Sequence, residues 1–331
     1  MNWQQALSDS FTSPEALLAH LDLDPQLGSR VAESLFPFRV TRCYADRMTR
    51  GDASDPLLRQ VLPLRDEHDA GIQRYATEDP VGDLLAVRGG GILHKYQGRV
   101  LVLATGSCAI HCRYCFRRNF AYAEHQFSRS AMAGNLRFLD EHPETEEVIL
   151  SGGDPLTLSD QRLSELLQAL DRRPQIRRLR IHSRFPMILP ERITPELLSL
   201  LASLRVPLTW VLHANHPQEI DAATLEALQC LRRSGVQLLN QSVLLKGVND
   251  HPDVLASLSR ILFDEGGVLP YYLHQLDQVR GGMHFLVDDD AALAIHAELQ
   301  RQLPGYLVPR LVREIAGQPC KTPLADVSTF G

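Results

Sequence analysis

Three cysteines crowd into one short segment of the sequence. Cys108, Cys112 and Cys115 are spaced as C-x3-C-x2-C, and the other cysteines are single and distant. Thiolates are soft ligands that select iron–sulfur clusters, zinc or copper(I). A four-iron cubane cluster or a structural zinc site normally takes four protein ligands. Three local thiolates would therefore leave one iron of such a cluster without a protein ligand. The spacing predicts a catalytic [4Fe-4S] cluster, with zinc completed by His111 or a remote cysteine as the alternative.

A second motif is a glycine-rich turn that follows a short apolar run. Gly152 and Gly153 allow close approach of the backbone, and Asp154 adds an acceptor for an ammonium group. Taken alone, such a segment is more often simply a turn. Its place at the end of a predicted strand favours a binding role.

The elements that must position these residues form a repeating pattern from residue 99 onward. The predicted strands are 100–103, 148–150, 179–181, 208–212, 236–239 and 271–273, and helical periods between them include 161–170, 194–204 and 222–233. This repetition predicts an α/β protein with a partial (β/α)6 TIM-like barrel, in which functional side chains lie where strands end. Arg184, His213 and Gln241 lie at successive strand ends.

The chain divides into three predicted parts. Residues 1–90 form a helical region, with a capped helix start at Ser13-Pro14. Turn-forming residues at 51–56 and 78–83 indicate loops, which favours a domain boundary near residue 90. The barrel follows over 91–305, and 306–331 is a C-terminal segment.

Composition excludes several classes of function. Hydrophobic residues make up 44% and charged residues 22%, which is average for a globular protein. The net charge of −6 and the lack of a basic run argue against nucleic acid as a partner. No signal peptide and no apolar stretch of membrane-spanning length is evident, so we expect a cytoplasmic protein without a membrane partner.

The ordered motifs resemble those of a known family. The cysteine spacing is similar to that of the radical S-adenosylmethionine (SAM) superfamily, and the wider set resembles the lysine 2,3-aminomutase family. The motifs are Cys115-Phe-Arg117-Arg118, Ser151-Gly152-Gly153-Asp154-Pro155-Leu156, Leu189-Pro190-Glu191-Arg192-Ile193-Thr194, His213-Ala-Asn215-His216-Pro217, Gln241 to Asp250, Tyr271-Tyr272 with Asp277, and Lys321-Thr322-Pro323. The resemblance covers about residues 90 to 325. It implies a partial barrel of radical SAM type.

The resemblance assigns the cysteine motif to catalysis. It implies that the three cysteines hold a [4Fe-4S] cluster, which reduces SAM with an electron from a donor such as flavodoxin or ferredoxin. The implied SAM contacts are Gly152, Gly153, Asp154, Arg184, His213 and Gln241.

The resemblance also gives a role to a lysine near the end of the chain. Lys321 would otherwise be read as a surface charge. The similarity implies that it forms a Schiff base with pyridoxal 5′-phosphate (PLP), and that Lys95, Tyr96 and Arg99 hold this cofactor. PLP would allow the substrate nitrogen to move from C2 to C3.

The implied substrate is L-lysine. By resemblance, Arg117 binds its carboxylate, while Asp277 and Glu314 bind its distant ammonium group. Glu314 departs from the pattern, because the enzymes that act on free lysine have Asp at this position. The product would be (R)-β-lysine.

The C-terminal part of the sequence resembles one branch of the family. Residues 313–315 and 317–324 are similar to the bacterial enzymes that make (R)-β-lysine for elongation factor P, and the chain lacks the extension of the catabolic enzymes after Lys321. This implies a functional link to elongation factor P and its lysyl ligase.

Two alternatives remain open from the sequence. The same chemistry could act on another α-amino acid or on a protein-attached lysine. A non-enzymatic zinc or iron–sulfur binding protein would explain the cysteines, although it would leave Lys321 without a role.

Overall fold

The first part of the chain folds into short helices that are capped by side chains. The computed structural model describes residues 2–120 and 129–324. The helices in this part are α1 Trp3–Ser8, α2 Pro14–His20, α3 Arg30–Leu35, α4 Arg42–Ala45, α5 Pro56–Arg59 and α6 Asp83–Ala86. The Ser13 side chain accepts the Ala16 N–H, and Pro14 begins the helix, as predicted. The expected N-terminal helical region is therefore present.

A single sheet forms the rest of the framework. Within the described residues its strands are β1 Val87–Arg88, β2 Ile92–Tyr96, β3 Arg99–Thr105, β4 Glu147–Gly152, β5 Arg178–His182, β6 Leu208–Leu212, β7 Gln237–Val243, β8 Leu269–His274, β9 Arg310–Arg313 and β10 Thr322–Pro323. They lie side by side in chain order. Strands β3 to β9 run parallel, and β1, β2 and β10 add antiparallel pairs at the two edges.

All six predicted strands are confirmed as β3 to β8. The pattern did not indicate β9, which adds a seventh parallel strand beside β8. Its sequence, Arg-Leu-Val-Arg, has only two apolar residues in succession, so neither alternation nor a long apolar run marks it. The sheet is an open partial barrel, as expected, with one more parallel strand than predicted and three antiparallel edge strands, β1, β2 and β10, that were not predicted.

Helices connect the parallel strands. They are α7 Arg129–Glu141, α8 Asp160–Asp171, α9 Phe185–Ile188, α10 Pro195–Ala202, α11 Ala222–Arg233, α12 Pro252–Arg260 and α13 Asp289–Gln302. The predicted helices at 161–170, 194–204 and 222–233 correspond to α8, α10 and α11. A π-helix, Ile261–Glu265, extends α12. Among the described residues, no helix has both the length and the apolar character needed to cross a membrane.

The N-terminal helices and the barrel share one hydrophobic core. Leu17 and Leu18 of α2 belong to the same buried cluster as Val148 of β4 and Trp210 of β6, and each of these side chains is at most 1% exposed. This packing fixes the N-terminal helices against the barrel. The boundaries predicted near residues 90 and 305 stay predictions.

The end of the described chain returns to the sheet beside β9. In the antiparallel β9–β10 pair, Thr322 is opposite Arg313. This register places Lys321, just before β10, next to Glu314, just after β9. The predicted cofactor lysine therefore reaches the edge of the sheet where the parallel strands end.

Candidate active site

A cavity of about 440 Å³ opens at the carboxyl ends of the parallel strands. Every residue that the sequence assigned to catalysis, cofactor binding or metal binding lines it. These residues are Lys95, Tyr96, Arg99, Cys108, Cys112, Cys115, Arg117, Gly152, Gly153, Asp154, Arg184, His213, Gln241, Asp277, Glu314 and Lys321. The fold thus brings together residues from the cysteine motif and from a segment about 200 positions later in the sequence.

The cysteine loop follows β3 and is anchored by a buried ion pair. Arg113, between two of the cysteines, donates from Nε to Glu67 Oε1 at 2.8 Å and from Nη2 to Glu67 Oε2 at 2.6 Å. Arg118 donates to the same Oε2 at 2.7 Å. Since the side chains of Arg113 and Glu67 are 0% exposed, the N-terminal region and the cysteine loop are tied together through these charges.

The three cysteines are free thiols that face the cavity. Burial raises the pKa of the Cys115 thiol to about 11, and the nearby Cys112 adds to the effect. A bare thiolate is therefore disfavoured, and a metal that binds the sulfur would supply the compensating positive charge. The donor set of three sulfurs suits an iron–sulfur cluster with one iron left for another ligand.

The glycine turn after β4 packs directly on the cysteine loop. Gly152 has φ +114°, a backbone conformation that other residues rarely adopt. A Cβ at Gly152 would lie 2.6 Å from the Thr105 carbonyl oxygen, and one at Gly153 would lie 2.3 Å from that of Ser107. Both glycines are required for this close approach, and both line the cavity.

Asp154 has structural contacts that the sequence did not indicate. Its Oδ1 accepts the Leu156 N–H at 3.0 Å. Its Oδ2 accepts from Ser183 Oγ at 3.1 Å and from the Arg184 N–H at 2.8 Å. Burial raises its pKa to about 6. In the structure this carboxyl group joins the turns after β4 and β5, and its predicted contact with an ammonium group stays a prediction.

Arg184 contacts the cysteine loop, and His213 and Gln241 form a pair that also lines the cavity. Arg184 Nη1 lies 2.7 Å from Cys112 Sγ and 2.8 Å from the Tyr114 hydroxyl. The His213 and Gln241 side chains are joined at 2.9 Å. Burial, together with the charge of Arg184, lowers the pKa of His213 to about 3, so its ring is neutral at physiological pH.

A chain of alternating charges also lines the cavity and runs from Lys321 to Arg117, two residues after Cys115. Lys321 Nζ lies 2.8 Å from Glu314 Oε2, and Lys95 Nζ lies 2.9 Å from Glu314 Oε1. Lys95 Nζ is also 2.5 Å from Asp83 Oδ1, and Asp83 Oδ2 accepts from Arg117 Nε at 2.6 Å. Burial alone would raise the pKa of Glu314, but Lys321 and Lys95 outweigh it and hold this pKa well below its usual range. Glu314 is therefore ionised.

Asp277, three residues after β8, differs from Glu314 in its electrostatic surroundings. Burial raises its pKa to about 7, and the negative charge of Glu314 contributes to the rise. Lys321 and Lys95 lower it, without cancelling these effects. Two nearby carboxyl groups make each other's ionisation less favourable, and a cation bound between them would stabilise the ionised form of both.

Aromatic rings line the cavity near Lys321. Lys321 Nζ lies 5.8 Å from the centre of the Tyr272 ring, and the rings of Tyr271 and Tyr272 are 3.8 Å apart. The Arg99 guanidinium lies 4.6 Å from the centre of the Tyr96 ring. These rings offer flat surfaces on which an aromatic cofactor could stack.

Comparisons with the sequences of known proteins show which family the chain belongs to. Residues 102–258 match the Radical SAM superfamily. The chain is 48% identical to the Escherichia coli K12 protein named L-lysine 2,3-aminomutase, over 98% of this chain and 94% of the relative. It is 45% identical to the protein of that name from Haemophilus influenzae, over 98% and 96%, and 33% identical to that from Clostridium subterminale, over 98% and 77%.

The chain belongs to the lysine 2,3-aminomutase family. It is a radical SAM enzyme of the lysine 2,3-aminomutase type, an isomerase. The predicted [4Fe-4S] cluster and SAM follow from the superfamily. The non-enzymatic zinc-protein alternative is therefore wrong.

Sequence reasoning missed two buried acids, Asp83 in the cavity of this aminomutase and Glu67 behind its cysteine loop. Asp83 connects Lys95 with Arg117, yet in the sequence it stands in a loop of turn-forming residues. Glu67 stands in a stretch of charged residues of the kind that is usually exposed to solvent. Both side chains are at most 2% exposed, but only their tertiary contacts reveal this.

Proposed function

We propose that this enzyme uses PLP to convert (S)-α-lysine to (R)-β-lysine, moving the amino group from C2 to C3 and a hydrogen from C3 to C2. The observation that carries the proposal is the meeting of two chemical centres in one cavity. The three cysteines and Lys321 line the same cavity. Both cofactors could then reach one small substrate.

The residues present fit a cluster with bound SAM. Cys108, Cys112 and Cys115 would hold the cluster, which together with SAM supplies a carbon radical able to remove hydrogen from the substrate. Arg184 Nε is buried and has no hydrogen-bond partner among the described residues, so it can donate to an acceptor such as the SAM carboxylate. The joined side chains of His213 and Gln241 offer further polar groups in the cavity.

The residues around Lys321 fit PLP. The chain contains only three lysines, Lys95, Lys246 and Lys321, and two of them line the cavity. When bound, PLP supplies an electron sink that lets the amino group of the substrate migrate. Lys321 would hold its aldehyde carbon, Arg99 and Lys95 would face its phosphate, and the Tyr96 ring would lie beside it.

The charged groups select lysine as the substrate. Arg117 is 8% exposed and its Nη1 donates to Ser151 Oγ at 3.2 Å, which orients the guanidinium that would bind the substrate carboxylate. Asp277 and Glu314 would bind the distant ammonium group. In the structure Glu314 pairs with Lys95 and Lys321, so use of Lys321 to hold PLP would leave Glu314 with fewer cation contacts and able to accept the substrate ammonium.

The PLP assignment is tested by trapping the cofactor on the protein. We expect PLP with borohydride to label Lys321, as read by peptide mass spectrometry, and the visible absorbance of bound PLP to disappear in Lys321→Ala. Lys246→Ala is the matched control, since Lys246 does not line the cavity, and it should keep the absorbance. Labelling of Lys95 in place of Lys321 would contradict the assignment.

We further propose that the product is used for modification of elongation factor P. The resemblance of residues 313–315 and 317–324 to that branch of the family supports this role. A separate lysyl ligase would attach the product, and a flavodoxin or ferredoxin would supply the electron. We propose that the enzyme acts in the cytoplasm with these partners. Mass spectrometry of elongation factor P from cells lacking the gene should show loss of a β-lysyl group. An unchanged modification would refute this role while leaving the aminomutase chemistry intact.

A further inference from the structure

One guanidinium lies against a cysteine of the proposed cluster and is surrounded by protein. Arg184 follows β5 and is 5% exposed. Its Nη1 is 2.7 Å from Cys112 Sγ and 2.8 Å from the Tyr114 hydroxyl. Its backbone N–H is fixed by Asp154 Oδ2 at 2.8 Å. The side chain therefore has little freedom to leave the sulfur.

The other end of this guanidinium is held by three acceptors. Nη2 lies 2.9 Å from Glu219 Oε2, 2.8 Å from Gln60 Oε1 and 3.0 Å from the Tyr44 hydroxyl. Tyr44 and Gln60 belong to the N-terminal helical region, whereas Glu219 follows β6. All three are 0% exposed. The N-terminal region thus contributes directly to the position of a charge beside the cysteine loop.

We propose that Arg184 is a positioning residue whose charge, held against Cys112 by Tyr44, Gln60 and Glu219, sets the reduction potential of the cluster. The proposal rests on the assignment of Cys112 as a cluster ligand, which is part of the proposed function. Reduction adds one electron from an external donor to the cluster. Arg184 is neither oxidised nor reduced and keeps its proton, since a guanidinium stays charged in proteins.

The direction of the effect follows from electrostatics. Reduction makes the cluster more negative, so a nearby positive charge and an N–H donor to its sulfur stabilise the reduced state. The surroundings are buried, and charge interactions are therefore stronger than in water. Glu219 partly cancels the positive charge. Removing Arg184 should lower the potential, and removing the charge of Glu219 should raise it.

The test is a redox titration of the reconstituted enzyme, followed by electron paramagnetic resonance without SAM. In Arg184→Gln we expect the equilibrium constant for reduction to fall about tenfold or more, which is about 59 mV for a one-electron couple. In Glu219→Gln we expect a shift of opposite sign. Arg180→Gln is the matched control, because Arg180 also lines the cavity from β5 but pairs with Glu147. Its shift should be smaller.

The outcomes separate this inference from the proposed function. An unchanged potential in Arg184→Gln with full iron and sulfide content would overturn it, as would equal shifts in Arg184→Gln and Arg180→Gln. If Arg184→Gln fails to retain the cluster, Glu219→Gln still decides, since a lowered or unchanged potential there would refute the electrostatic role. A wild-type protein that forms no cluster would instead contradict the proposed function.

Discussion

The affinity for lysine should depend on the ionisation of Asp277. Its pKa is raised to about 7 by burial and by Glu314, so in the lysine-free enzyme this carboxyl group is neutral at low pH and charged at high pH. The substrate ammonium binds best to the ionised form. Affinity is therefore expected to be complete above pH 7 and to be lost as the pH falls through this value.

The magnitude follows from the raised pKa. One unit above pH 7 about 90% of Asp277 is ionised, and one unit below it about 10% is ionised, so the apparent Kd should rise about tenfold between pH 8 and pH 6. This change equals about 1.4 kcal/mol of binding free energy. The cavity histidines do not interfere: burial lowers the pKa of His213 to about 3 and those of His182 and His274 well below 6.5.

The assay is equilibrium binding of labelled lysine to the enzyme without PLP, so that Lys321 keeps the ammonium charge under which the Asp277 pKa is about 7, and no turnover occurs. Asp277→Asn should weaken binding at pH 8 and remove most of the pH dependence. Glu314→Gln removes a charge that raises the Asp277 pKa, so the midpoint should move to lower pH. Asp154, with a pKa raised to about 6, is the other carboxyl group near this range. A tenfold change that persists in Asp277→Asn would refute the reasoning.

Two further predictions concern the cysteine loop. Glu67→Ala leaves Arg113 and Arg118 without their buried counter-charge. The free energy of unfolding, measured by urea denaturation, should therefore fall by about 3–5 kcal/mol. A loss below about 1 kcal/mol would contradict the importance of these ion pairs. Gly153→Ala places a Cβ 2.3 Å from the Ser107 carbonyl oxygen and should displace the loop, lowering the iron content after reconstitution. Gly305→Ala, whose Cβ would meet nothing within 4 Å, should keep its iron, and equal iron content in both variants would show that the close packing is unimportant.

The barrel was predictable because its strands are short apolar runs separated by helical periods. The cysteine motif was equally visible, since its spacing is local. Strand β9 was missed because two apolar residues between arginines carry no periodic signal. Its omission concealed the reason that Lys321 and Glu314 meet, which is the β9–β10 register.

The contacts within the site depend on tertiary structure and could not be read from spacing. Lys95 and Arg117 were expected to face a phosphate and a carboxylate, but nothing in the sequence indicated that Asp83 would lie between them. Likewise, the sequence placed Arg184 at a strand end without showing that Tyr44 and Gln60 would turn it toward Cys112. The two Arg184 contacts join residues more than 100 positions apart.

The central claim is that the cavity moves an amino group within one lysine molecule. The most direct test supplies lysine labelled with ¹⁵N at C2, together with SAM, PLP and a reductant, to the anaerobically reconstituted enzyme. We predict (R)-β-lysine carrying the label on C3, detected by nuclear magnetic resonance and chiral chromatography, and no product from Lys321→Ala. A fully loaded enzyme that leaves the label on C2 would contradict the claim.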